Sequence, residues 1–174
     1  MCAYPLSAAE KKTKRQPEVR VTQPSAPLPA NVNDVNVDEY FNAGEDSLKK
    51  GRQDDALKLF LAVYEYSRDT LALLKCVKGG YDKALSGLGI DQNQKEEVYL
   101  KLQRIASLNS RYAGLKGEAA YRMGLVYRAK GNNEQARKYL LETCQTSPFS
   151  LDPASTWMRA KEMLLTLSNL EGEF

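Results

Sequence analysis

The chain has 174 residues, 43% of them hydrophobic and 27% charged, with a net charge of +3. That is the length of one domain with a tail, and an ordinary soluble composition. So small and dispersed a positive charge does not mark a nucleic-acid binder, and the absence of histidine excludes Ser-His-Asp and Cys-His catalysis within the chain.

The first 35 residues stand apart. Five of the seven prolines fall here: Pro5, Pro17, Pro24, Pro27 and Pro29. Proline at this density blocks helix and favours an extended, solvated backbone. The run "KKTKR" (Lys11 to Arg15) adds a small cationic cluster. The segment 1–35 is expected to be a flexible tether and 36–170 a helical domain.

From Val37 the text is helical. "VDEYFNAGEDSLKKG" repeats apolar and small residues at i, i+3, i+4 and ends at Gly51; "DDALKLFLAVYEYS" follows at once. "TLALLKCVKGGYDKALSGLG" predicts a third helix, weakened by Gly79-Gly80. "DQNQKEEVYLKLQRIASLNSRY" predicts a fourth, capped by Asp91. "AAYRMGLVYRAKGNNEQARKYLLETCQTSP" is a helical hairpin broken at Gly131 and stopped by Pro148. A last helix is expected to start with Asp152 as cap and Pro153 in its first turn. Its Trp157, Met158, Leu164 and Leu165 are expected to cover the end of the core. The cysteines Cys2, Cys76 and Cys144 are far apart and form no CxxC motif, so neither a zinc site nor a disulfide framework is expected. Cys76 and Cys144 read as small core residues.

The first and last hairpins align on their glycines. Gly44 matches Gly124, Gly51 matches Gly131, Ala56 matches Ala136, Phe60 matches Leu140, Ser47 matches Tyr127 and Tyr40 matches Ala120, all at one offset of 80 residues. Such self-similarity is a repeat rather than shared amphipathicity. Gly44 and Gly124 are expected where two helices come closest, with Ala56 and Ala136 as the facing small residues. Phe60 and Leu140 would fill the space beside them, and Gly51 and Gly131 would be left-handed caps.

This order of glycine, large residue, alanine, large residue and proline resembles the tetratricopeptide repeat, a helix–turn–helix unit. Ala120, Met123, Gly124, Tyr127, Ala136, Leu140 and Pro148 occupy its signature places, as do Tyr40, Ala43, Gly44, Ser47, Ala56 and Phe60; Arg68 stands where the proline would be. Two periods of about 34 residues account for about 68 of the 80 between Gly44 and Gly124, so about 12 must lengthen the middle helices or their connection. The resemblance implies an all-α fold: a tetratricopeptide-like stack of about seven helices in antiparallel pairs, closed by a C-terminal capping helix.

The stretch from Ser107 to Leu165 also looks like the tetratricopeptide lipoproteins of the bacterial envelope, such as the barrel-assembly lipoprotein and Tol–Pal coordinator families. Cys2 followed by a proline-rich linker is similar to a mature lipoprotein in which Met1 replaces a cleaved signal peptide. The resemblance implies a non-enzymatic protein–protein interaction scaffold, lipidated on Cys2 and anchored to the outer membrane in the periplasm. It would help to assemble an outer-membrane protein, a pilus or a secretion machine, its tether reaching up to about 100 Å if fully stretched. A cytoplasmic tetratricopeptide adaptor or chaperone for a peptide or helical partner is the alternative. In such folds the first helices of successive repeats line a concave surface, which here would carry Phe41, Glu45, Leu48 and Lys49 beside Tyr121, Leu125 and Arg128. Neither a cofactor, a metal nor a catalytic residue is expected: there is no phosphate-binding glycine loop, and Asp91, Glu96 and Glu97 suit a helix N-terminus by charge alone. The partner implied is another protein, not nucleic acid, with a membrane reached through the lipid.

Overall fold

The computed structural model describes residues 31–87 and 91–172, and all its regular elements there are α-helices. They are α1 (Val37–Lys49), α2 (Gln53–Ser86), α3 (Gln92–Ala129), α4 (Asn133–Thr146) and α5 (Thr156–Ser168). Each packs on the next, and α3 also touches α5.

Five helices replace the expected seven because two expected boundaries do not exist. The second and third expected helices run together as α2, of 34 residues. The fourth and the first helix of the last hairpin run together as α3, of 38 residues. No proline stands between Ser67 and Ser86, or between Gln92 and Ala129, to remove an N–H and stop the helix. Gly79-Gly80 costs helix propensity, about 1 kcal/mol per glycine relative to alanine, which is too little to break a helix packed along its length. The surplus residues therefore extend α2 and α3 into an antiparallel arm, 68–86 against 92–111. The helices are roughly 50 and 57 Å long at about 1.5 Å per residue.

The two hairpins at the arm's base match at their glycine turns and at the close glycine contacts below them. Gly51 and Gly131 have φ of +75° and +74°. Gly51 N–H donates to Leu48 O at 2.9 Å and Arg52 N–H to Ser47 O at 2.9 Å. Gly131 N–H donates to Arg128 O at 2.9 Å and Asn132 N–H to Tyr127 O at 2.9 Å. This is a glycine C-cap closing the last turn of the first helix. Below each turn, Ala56, Phe60, Ala136 and Leu140 are fully buried. A Cβ on Gly44 would lie 2.7 Å from the Phe60 ring, and one on Gly124 2.8 Å from Leu140 Cγ. Glycine is needed at both places because the facing side chain already occupies the space.

Pro148 ends α4, as expected: it forces Ser147 into an extended conformation (φ −76°, ψ 144°). Asp91 caps α3 in a reciprocal capping box with Gln94. The expected cap of α5 is displaced: Ser155, not Asp152, accepts from the Met158 N–H. The Asp152 carboxylate instead accepts from Ala154 N–H at 2.9 Å, forming a local turn that delays the helix. Cys76, expected in the core, is exposed, because it lies on the side of α2 away from α3. Cys144 is half-buried.

The core has three parts. Val37, Tyr40, Ala56, Phe60, Val63, Ala119 and Met123 join α1, α2 and α3. Leu74, Ile105 and Tyr112 zip the arm. Tyr121, Leu140 and Ala160 join α3, α4 and α5. Trp157, Met158, Leu164 and Leu165 are half-buried along α5; the Trp157 indole N–H donates to Cys144 O at 3.1 Å, tying α5 to α4.

Candidate docking face

The seven residues expected to line a concave surface lie on α1 and on the C-terminal half of α3. Phe41 is half-buried, its ring edge-on to Phe60 at 5.4 Å. Leu48 packs against the first core cluster. Lys49 is exposed and pairs with Asp46 at 3.3 Å. Glu45 accepts from the Arg122 guanidinium, which links α1 to α3.

Tyr121, Leu125 and Arg128 come together further along α3, where α5 lies across them. Leu125 packs with Leu140 and Ala160. Arg128 reaches the Met163 thioether. Tyr121 is only 6% exposed, its ring flanked by the guanidinium carbons of Arg122 at 5.5 Å and Arg159 at 4.9 Å. Cations stacked on a ring in this way are attracted by its quadrupole. Glu118 completes the group, accepting from the Thr156 hydroxyl and lying 3.8 Å from Arg159. What the face presents is therefore a polar and cationic rim over buried rings. Beside it, Gly114, Glu118, Pro148 and Trp157 line a pocket of ≈ 230 Å³.

Sequence reasoning missed the ion pairs that link the first repeat and the residues just before it to α3 and the turn after it. Arg111 donates to Asp34 at 2.8 Å and to Asp38 at 2.9 Å. Tyr112 donates to Asp34, and Lys130 pairs with Asp54. The hydrogen bond from Tyr112, with Arg111 nearby, outweighs desolvation and holds the Asp34 carboxyl below its ordinary range. Every one of these pairs joins α3, or the turn that follows it, to the first repeat or to Asp34 just before it, at a spacing of 73 to 78 residues between partners. A second, half-buried group sits between α2, α3 and α4. Lys116 Nζ lies 2.8 Å from Glu142, Tyr64 donates to the same carboxylate, and the Lys116 ammonium stands 5.4 Å from the Tyr64 ring centroid. Burial and the bond to Glu142 push the Tyr64 phenol above its ordinary range. Burial alone would raise Glu142; the bonds from Lys116 and Tyr64 outweigh it and lower it.

Among the described residues, no three His, Cys, Asp or Glu side chains converge as metal ligands, and no helix is long and apolar enough to cross a membrane. Cys2, the expected lipidation site, lies outside the described residues, as does the tether to residue 30. No protein-family model matches the chain, and no curated protein or solved structure matches it either.

Proposed function

We propose that the chain is a non-enzymatic protein–protein interaction scaffold of tetratricopeptide type. It is held at the outer membrane by a lipid on Cys2 and works in the periplasm on an envelope complex. The observation that carries this reading is the duplicated hairpin. Gly44 against Phe60 and Gly124 against Leu140 repeat one close helix contact, and Gly51 and Gly131 repeat one turn. Units of this kind bury their signature residues and leave the flanks of successive first helices to a partner. Here those flanks are α1 and the C-terminal half of α3, where Lys49 and Arg128 are exposed, and with α5 they offer the Arg122 and Arg159 cations over the buried Tyr121 ring. Aromatic rings and arginines are the residue types that anchor protein interfaces.

The membrane half and the docking half of the proposal separate experimentally. Cys2→Ser should release the protein from membranes while leaving its circular dichroism and its binding in solution unchanged. Arg128→Glu and Arg159→Glu should weaken recovery of envelope partners without changing fractionation. Membrane association that survives Cys2→Ser removes the tether and leaves the cytoplasmic adaptor. Partner recovery that ignores both charge reversals removes the docking face.

A further inference from the structure

Beyond Ser67, α2 carries two apolar rows. One faces α3: Leu74 is buried against Ile105 and Tyr112, and Tyr81 packs beside them. The other lies roughly a quarter-turn round the helix and contains Thr70, Leu73, Val77, Gly80 and Ala84, spaced three and four apart in alternation. That is the spacing of a coiled-coil seam. The row holds no charged residue. Leu73 is 61% and Val77 38% exposed, and a Cβ on Gly80 would meet nothing within 4 Å. Thr70 and Ala84, at its two ends, are half-buried, and between them the seam is uncovered. Along its outer edge run Asp69, Cys76 and Lys83 at seven-residue spacing, all exposed.

We propose that a second copy of this chain covers this seam, the two α2 arms pairing antiparallel about a two-fold axis at the level of Lys75. The row sets its own register. Leu73 packs against the partner's Val77 and Val77 against the partner's Leu73. Thr70 lies opposite the partner's Gly80, where the missing side chain leaves room. The same axis brings Asp69 to within two residues' rise, about 3 Å along the helix, of the partner's Lys83, and the two Cys76 equally close to each other. A two-fold interface must be self-complementary, each residue pair occurring twice, and this edge is. A parallel pairing would instead turn this edge toward the partner's opposite flank, where Leu74 and Tyr81 already pack against α3, and would leave Asp69 and Lys83 without this match. The self-matching edge is the reason to assign a second copy rather than an unrelated helix. From Thr70 to Ala84 the seam is roughly 21 Å long, short enough that the dimer is reversible and concentration-dependent. The inference does not depend on the docking face or on a lipid at Cys2.

The test uses the full chain. Its molar mass in light scattering should rise with concentration from that of the 19.5 kDa chain toward twice that value. Leu73→Glu, at an exposed position, should return it to the monomer mass with unchanged helix content. Asp69→Lys should weaken the dimer and Lys83→Asp added to it should restore it, a rescue that a general loss of fold would not produce. A short bis-maleimide should couple Cys76 to Cys76, identified by the mass of the linked peptide. A monomer mass at every concentration overturns the proposal. So does a dimer that persists in Leu73→Glu, or one in which Cys76 is never coupled to Cys76.

Discussion

Residues 37–67 and 117–147 are built on one plan, and they part company at the next residue. In the second repeat Ser147 precedes Pro148 and α4 stops at Thr146. In the first, Ser67 precedes Arg68 and α2 runs on to Ser86. The glycine contact within each repeat is the same in kind, since Phe60 and Leu140 are both fully buried against their glycines. The contrast shows that hairpin packing does not decide where the second helix ends. One pyrrolidine ring does, and its absence releases the arm.

The comparison breaks most visibly at its two plugs. Phe60→Ala should cost about 3–5 kcal/mol and Leu140→Ala about 2–5 kcal/mol, through lost burial and the cavity left behind. Chemical denaturation would measure both. A near-neutral result at either site would mean that its repeat tolerates collapse and that the two cores are not equivalent. Arg68→Pro sharpens the contrast instead, by giving the first repeat the residue that ends the second. It should cost about 3 kcal/mol, from a lost i→i−4 bond and a ring clash. Hydrogen exchange should show faster amides in 69–86 than in 53–63. Uniform protection across α2 would mean that the arm's own contacts override the break.

The hairpins were legible because each signature residue acts locally. A glycine next to a large residue at the right spacing and a glycine cap both leave their mark within about twenty residues. The arm was not. Reading a helix end requires a stop signal, and from Thr70 onward the sequence has only glycines, which weaken a helix without ending it. Cys76 was misplaced for a related reason: apolar neighbours such as Leu74 and Val77 did not tell which side of α2 would meet α3. At the candidate face, Tyr121 and Leu125 were put on the right helix, but the crossing of α5 over them depends on a connection whose path the sequence does not encode locally. The pairs of Arg111, Arg122 and Lys130 with Asp34, Asp38, Glu45 and Asp54 become visible only once the two repeats are laid side by side.

A smaller difference concerns charge. Glu142, in the second repeat, is a half-buried carboxylate bonded by Lys116 and Tyr64. At the matching place in the first repeat stands Ala62. Because the folded Glu142 titrates below its ordinary value, its contribution is complete above that value and fades as pH falls through the lowered one. Glu142→Gln should therefore cost about 1–2 kcal/mol at neutral pH. The gap between parent and variant should narrow once the pH drops below the usual carboxylate range. A gap that is constant from neutral pH to acid would show that the amide loses shape complementarity rather than charge.

An effect of similar size is expected at the two turns, where the comparison can be made most cleanly. Gly51 and Gly131 both have positive φ, and a Cβ at either would meet nothing within 4 Å. Alanine there adds no clash and removes no hydrogen bond, since the backbone bonds of both turns use main-chain atoms alone. What remains is the conformational cost of an L-residue in the left-handed region, about 1–2 kcal/mol. Gly51→Ala and Gly131→Ala should therefore destabilise equally, and asparagine, which tolerates this region, should recover part of the loss at both. Gly44→Ala differs in kind, because its new methyl would meet the Phe60 ring at 2.7 Å; asparagine at that position should be worse than alanine, not better. Opposite responses to asparagine at Gly51 and Gly44, seven residues apart in one hairpin, would separate backbone demand from packing demand. Unequal losses at Gly51 and Gly131 would show instead that the long arm behind the first turn has changed the stability of the repeat that carries it.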